Sequence, residues 1–229
     1  MVVEVFANSF FPALSAVAGA RPRVLRVYRR TAAVLVAVAA PLLATGGLFS
    51  DELVALPYPA EFHPAGVVMG WICLRGMVRV LSVLQGNVFL ALARLGCETL
   101  ALAGGLLAVV LLFPWLAAAR ELWGAGLAMF VSALAICLLE ALALVWVLRF
   151  PAGTVLRPLS QAAGTLLGSW LLYLGLKPLV YGSLGGVGFL LLHALLGAIL
   201  SGSVYLALER RDLPFGGGRA GRPAPGPEA

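Results

Sequence analysis

Long apolar stretches alternate with short charged gaps along this chain. Six of the stretches are long enough to cross a hydrocarbon core of about 30 Å as helices, and they cover residues 31–49, 66–91, 99–119, 124–148, 159–176 and 185–208. A shorter apolar stretch at 2–17 is typical of part of a further span. The pattern predicts an all-α, polytopic transmembrane bundle with six full spans and an N-terminal partial span.

The basic residues between the spans lie almost entirely in alternate gaps. Twelve lie in gaps on one side of the membrane, and two, Arg120 and Lys177, lie in gaps on the other side. Because Lys and Arg concentrate in cytoplasmic loops, we expect the arginine-rich gaps in the cytoplasm. These gaps cover 21–30, 92–98, 149–158 and the segment after 209, whereas 50–65 and 177–184 are expected to face the periplasm. The predicted location is the inner membrane.

Composition is that of a membrane protein and argues against nucleic-acid binding. Apolar residues make up 62% of the chain and charged residues only 11%, against about 25% charged in soluble domains. The formal charge of +6 is spread over the loops rather than gathered in one basic groove. We expect residues 1–209 to form the transmembrane domain and the glycine- and proline-rich residues 210–229 to form a disordered cytoplasmic tail.

The span at 66–91 carries charged residues where hydrocarbon is expected. Arg75 and Arg79 are four residues apart, so they share a helix face; Ser82 lies on that face, and Gln85 flanks it. An arginine at the membrane centre costs about 2.5–3.5 kcal/mol on insertion scales, so the pair needs a water-filled cavity, an anion, or both. The planar guanidinium binds phosphate through two hydrogen bonds. The functional hypothesis is therefore a cavity for an anionic head group such as a pyrophosphate.

The alternative for the arginine pair is an internal ion pair with Glu140, the carboxylate deep in 124–148. The two interpretations are compatible with each other. We predict a substrate-binding cavity formed by Arg75, Arg79, Ser82, Gln85 and Glu140.

Other motifs indicate packing rather than chemistry. The sequence shows no serine nucleophile elbow, zinc-ligand spacing or phosphate-binding loop, so we expect no enzyme activity, no cofactor and no metal. His193 and His63 are isolated, and His193 is expected to be a hydrogen-bonded packing residue. Gly164 and Gly168 form a Gly-x-x-x-Gly pair that favours close helix contact. The three cysteines are scattered and predict neither a disulfide nor a metal site; they are Cys73, Cys97 and Cys137.

Several segments, in order, resemble the C-terminal half of the polysaccharide (lipid-linked oligosaccharide) flippases of the multidrug/oligosaccharidyl-lipid/polysaccharide exporter superfamily. The phrase Phe-Pro-Ala-Leu-Ser at 11–15 is similar to the end of that family's eighth helix. A basic stretch at 26–30 follows, and then a helix interrupted by Pro41. The loop at 53–65, with its Glu-Phe pair, resembles the family's Gly-x-Glu-Tyr/Phe element.

Two later segments continue the resemblance. Residues 86–94 are similar to a stretch that ends in Ala-x-Gly-Arg/Lys at an inner loop, with Ala93 in place of the glycine. Pro114 and the segment 123–128 resemble a Pro…Tyr-Gly-x-x-Gly-Ala-Ala element. The resemblance covers about 10–148, and over 159–208 it is topological.

The resemblance implies the C-terminal lobe of a fourteen-helix, two-lobed transporter that moves polyprenyl-pyrophosphate-linked oligosaccharides for cell-surface polysaccharide biosynthesis. The expected partners are the lipid bilayer, the lipid-linked substrate, and a missing N-terminal lobe or further copies of this chain; alone, the chain is not expected to transport. Two alternatives stay open. One is a membrane-embedded enzyme acting on a polyprenyl phosphate or phospholipid, with Asp51, Glu52 and Glu61 as its metal-ligand candidates, and the other is a non-transporting accessory fragment.

Overall fold

The computed structural model describes residues 10–212, without the side chains of 178–186, 204–205 and 207–212. Residues 210–212 are helical, so the first three residues of the predicted tail belong to the last helix. The rest of that tail, and the first part of the apolar stretch predicted at 2–17, lie outside the described residues.

The described residues are almost entirely helical and contain no β-strand, which confirms the predicted all-α class. A helical turn, α1, covers 10–16. The helices that follow are α2 (Arg21–Leu48), α3 (Ser50–Ala55), α4 (Ala65–Ala91), α5 (Leu95–Trp146) and α6 (Ala152–Asp212), with a 3₁₀ turn at Ala60–Phe62 between α3 and α4. By length and composition α2, α4 and α5 can each cross a membrane, and α4 coincides with the span predicted at 66–91.

Helix α5 is a helical hairpin rather than one rod. Arg120 and Glu121 have non-helical backbone angles, and Glu121 has a positive φ of 48°. The Ser132 hydroxyl donates to the Gly105 carbonyl at 2.9 Å across 27 residues, a separation that would span about 40 Å in a straight helix. The chain therefore reverses at Arg120 and Glu121, between the spans predicted at 99–119 and 124–148.

Helix α6 also folds back on itself. His193 Nε2 lies 2.9 Å from the carbonyl oxygen of Ser169, 24 residues earlier, whereas a straight helix would place them about 36 Å apart. The two halves are thus antiparallel neighbours, in agreement with the spans predicted at 159–176 and 185–208. Of the predicted glycine pair, Gly168 packs against Leu200 of the other half, while Gly164 has open space around it.

Helix α2 begins ten residues before the predicted start of its span, because the basic stretch at 21–30 is helical and continuous with it. Pro22 stands in the first turn, where a missing backbone N–H breaks no helical hydrogen bond, and Val24 and Tyr28 are buried. The predicted proline, Pro41, lies inside the helix.

Helix α2 is central to the bundle, with α6 packed on one side and α4 on the other, and α4 packs in turn against α5. Large apolar side chains point outward from α5, where Leu100 and Trp146 are 74% and 78% exposed. Such a surface suits hydrocarbon rather than water. The molecule is a polytopic helical membrane protein.

Candidate functional site

Arg75 and Arg79 lie one turn apart in the middle of α4. From the first residue of the helix they are about 15 Å and 21 Å along the axis, so neither is close to an end. Arg75 is half-buried and Arg79 is exposed. Among the described residues no salt bridge joins either guanidinium to Glu140, so both retain donors for an anion.

Glu140 is instead held by a serine. The Ser82 hydroxyl donates to Glu140 Oε2 at 2.6 Å, and these residues are 8% and 2% exposed. The direct side-chain contact of Glu140 is therefore with Ser82. The structure thus contains a serine–carboxylate hydrogen bond at the place where the ion-pair alternative put an arginine.

Gln85 connects three helices one turn further along α4. Its side-chain amide donates to the Tyr28 hydroxyl of α2 at 3.4 Å, and its Oε1 atom lies 3.8 Å from Cys137 Sγ of α5. Gln85 is fully buried, and each end of its amide has a partner. A buried amide with both ends engaged holds the rotation of α4 against its neighbours.

The five predicted site residues therefore divide into two groups. Ser82, Gln85 and Glu140 come together, but inside the helix packing rather than on the wall of an open cavity. Arg75 and Arg79 lie about two turns and one turn before Ser82 on the same helix, where they are half-buried and exposed. The role of all five in substrate binding stays a prediction.

Glu98 is a site residue that the sequence did not indicate. It was expected in the loop at 92–98, but it stands in the first turn of α5. A methyl group built on Gly86 would lie 3.0 Å from Glu98 Oε1 and 3.9 Å from Glu140 Oε1. The carboxyl groups of Glu98 and Glu140 therefore both lie close to Gly86 of α4, which has no side chain to keep them away. The sequence feature that could have indicated this site is Gly86, because it lies on the same helix face as Arg75 and Arg79.

A cleft of about 610 Å³ opens near the C-terminal end of α2. Its walls come from α2, α3, α4, α5 and α6, and three indole rings line it, those of Trp71, Trp123 and Trp170, together with Asp51. Trp71 also packs edge-on against Trp123, with ring centroids 5.3 Å apart. Neither Arg75 nor Arg79 is among the residues that line this cleft.

The histidine expected to pack is hydrogen-bonded as predicted. His193 is fully buried, and its ring contacts Thr45 Oγ1 through Nδ1 at 3.2 Å and the Ser169 carbonyl through Nε2 at 2.9 Å. His63 is exposed at the end of the 3₁₀ turn. The described residues contain no group of three or more His, Cys, Asp or Glu that could hold a metal ion.

Comparison with solved structures identifies the architecture. The chain superposes on the lipid II flippase MurJ in its inward closed conformation with a TM-score of 0.65 and 15% sequence identity, covering 92% of this chain and 44% of that one. This chain has a flippase-type fold. It spans less than half the length of the flippase that it matches. No protein-family profile matches the sequence, and no curated protein sequence matches it.

Proposed function

We propose that this chain forms one lobe of an inner-membrane transporter that moves polyprenyl-pyrophosphate-linked oligosaccharides from one leaflet to the other for cell-surface polysaccharide synthesis. The observation that carries the proposal is the flippase-type fold over 92% of the chain. The resemblance of residues 10–148 to the polysaccharide flippases supports an oligosaccharide lipid as the substrate class.

The arginine pair supports the pyrophosphate part of the proposal. Arg75 and Arg79 stand about 6 Å apart along the helix axis, a spacing that suits two linked phosphate groups. Each planar guanidinium offers paired donors to phosphate oxygens. The buried group of Ser82, Gln85 and Glu140 would hold this face of α4 in place beneath the head group.

A second wall is part of the proposal. Helical transporters hold their substrate between two bundles that move against each other, and this chain spans 44% of the flippase that it matches. The other wall would be a first lobe or a second copy of this chain.

Binding of a polyprenyl pyrophosphate to the purified chain in lipid nanodiscs tests the head-group site. We expect Arg75→Leu with Arg79→Leu to weaken binding by at least about tenfold, because each charge-assisted hydrogen bond contributes about 1.5–3 kcal/mol. The double lysine variant should bind with intermediate strength, since lysine keeps the charge and loses the planar fork. Native mass spectrometry gives the bound fraction at each lipid concentration.

The matched control is Arg94→Leu, which removes an exposed arginine from the loop between α4 and α5 and should leave binding unchanged. Equal binding by the wild type and the double leucine variant would refute the arginine site. Expression of the chain alone in a strain without its own lipid-linked-sugar flippase tests the second wall. Restored polysaccharide export would exclude a separate first lobe and indicate an assembly of copies.

A further inference from the structure

A column of buried polar residues runs along the seam between the two halves of α6. Ser169 meets His193, and a methyl group built on Gly197, one turn further along, would lie 3.7 Å from Ser169 Oγ. In antiparallel helices each turn forward in one half matches a turn backward in the other. Because Ser169 lies beside Gly197, Thr165 lies about level with Ser201, and Gln161 lies one turn further toward the start of α6. The polar members of this column are all between 0% and 3% exposed; they are Gln161, Thr165, Ser169, His193 and Ser201.

Three atoms in the column have no hydrogen-bonding partner among the described residues. They are Gln161 Nε2, Ser169 Oγ and Ser201 Oγ. A buried polar group without a partner costs about 1–3 kcal/mol, and internal water molecules commonly supply the partner in protein interiors. The hydroxyls can both donate and accept, as water requires of its neighbours. Gln161 and Ser169 are about 12 Å apart along the helix, so one small ion cannot serve both positions but a file of water molecules can.

One end of the column leads toward the arginine-rich side of the membrane. Gln161 is one turn after Arg157, near the start of α6. Helix α2 lies beside the column, because Pro41 packs against Gly197. Since proline has no N–H, the carbonyl oxygen of Ala37 has no helical hydrogen bond from residue 41 and can accept one from water. Ala37 lies one turn closer to the arginine-rich end than Pro41.

The other end of the column stops at His193. A carbonyl oxygen only accepts hydrogen bonds, so the Ser169 carbonyl requires the hydrogen to be on Nε2. Nδ1 is then the basic nitrogen of the neutral ring and accepts from the Thr45 hydroxyl. Three aromatic rings enclose the imidazole beyond it, with centroids at 5.3 Å (Phe49), 6.2 Å (Tyr173) and 6.5 Å (Phe189).

We propose that the column is a hydrated site. A file of water molecules enters from the arginine-rich end and supplies hydrogen-bonding partners to the Gln161 amide and to the Ser201 and Ser169 hydroxyls. The file ends at His193, where the rings of Phe49, Tyr173 and Phe189 close the opposite end. This proposal does not depend on the transport function proposed above.

Thiol labelling tests the water file. In a chain without its three natural cysteines, Ser169→Cys and Ser201→Cys are nearly isosteric, and Leu195→Cys is a control on a lipid-facing residue that is 60% exposed. A charged reagent reacts only with a hydrated thiolate. We therefore expect labelling at 201 and 169 to be at least about tenfold faster than at 195 when the reagent is added on the arginine-rich side. Equal rates at the three positions would show that the seam is dry and would refute the hydrated site.

Discussion

At the scale of single residues, the hydrogen bond between Ser82 and Glu140 carries the most weight. A carboxyl group in a transmembrane helix is expensive unless a hydrogen-bonding partner meets it, and the Ser82 hydroxyl lies 2.6 Å from Glu140 Oε2. Ser82 is buried against α5, whereas Arg79, one turn earlier on α4, is exposed. The serine therefore stabilises the buried carboxylate.

Ser82→Ala should lower the free energy of unfolding by about 1–3 kcal/mol, because it leaves a buried carboxylate without its donor. Reversible unfolding of the purified protein in mixed micelles gives the value. Ser160→Ala is the matched control, since its hydroxyl makes an exposed hydrogen bond to the Arg157 carbonyl and its loss should change little. Adding Glu140→Leu to Ser82→Ala should recover stability, as both polar partners are then gone; no recovery would contradict this explanation.

At the scale of the helices, the sharp turns between spans depend on backbone conformations that few residues favour. Helix α4 ends in a Schellman motif, with Arg94 N donating to the Phe89 carbonyl at 2.8 Å and Ala93 N to the Leu90 carbonyl at 3.1 Å. Ala93 takes a positive φ of 53° there, at the position where the polysaccharide flippases have glycine. The reversal in α5 is equally tight, because a side chain at Gly124 would overlap the Leu116 carbonyl.

Ala93→Gly should raise the free energy of unfolding by about 1 kcal/mol, since glycine has no Cβ to oppose a left-handed backbone. Thermal unfolding in detergent measures the shift. Ala103→Gly, at an exposed position inside α5, is the opposite control and should destabilise by about 0.5–1 kcal/mol. If both glycine substitutions destabilise, the strain assigned to Ala93 is absent.

At the scale of the whole molecule, the charged loops divide between the two ends of the bundle. The arginine-rich stretches 21–30 and 149–158 lie at one end, and the loop between α3 and α4 lies at the other. This arrangement follows from three consecutive reversals between these two stretches, namely between α2 and α4, after α4 and within α5, each of which returns the chain through the bilayer. The orientation expected from the loop arginines then applies to the whole bundle at once.

Cysteine labelling from outside intact cells should modify Glu61→Cys and spare Arg94→Cys, in a background without the natural cysteines. Both positions are exposed, so accessibility to water differs only by the side of the membrane. The arginine asymmetry puts position 61 in the periplasm and position 94 in the cytoplasm. Labelling at 61 that requires a permeabilised inner membrane would reverse the orientation.

The sequence by itself determined the spans, their reversals and their order, because each follows from local hydropathy and from the charges beside it. The hairpins of α5 and α6 are examples, because Arg120 and Lys177 each divide a long apolar stretch into two runs of about 20 residues. Each run must form a helix in lipid, since only a helix satisfies its backbone hydrogen bonds there. It also determined that Arg75, Arg79 and Ser82 share one helix face, since that follows from the helical repeat alone.

Only the tertiary structure decided which side chains meet. Ser82 finds Glu140 across 58 residues, and Thr45 finds His193 across 148 residues. The hydropathy of a helix indicates that the helix lies in the membrane. It does not specify how the helix is rotated about its axis, or how far it is shifted along that axis relative to a neighbouring helix. Gln85 is buried and Arg79 is exposed on the same helix for that reason: α2 and α5 pack over one part of the α4 surface and leave the other part open.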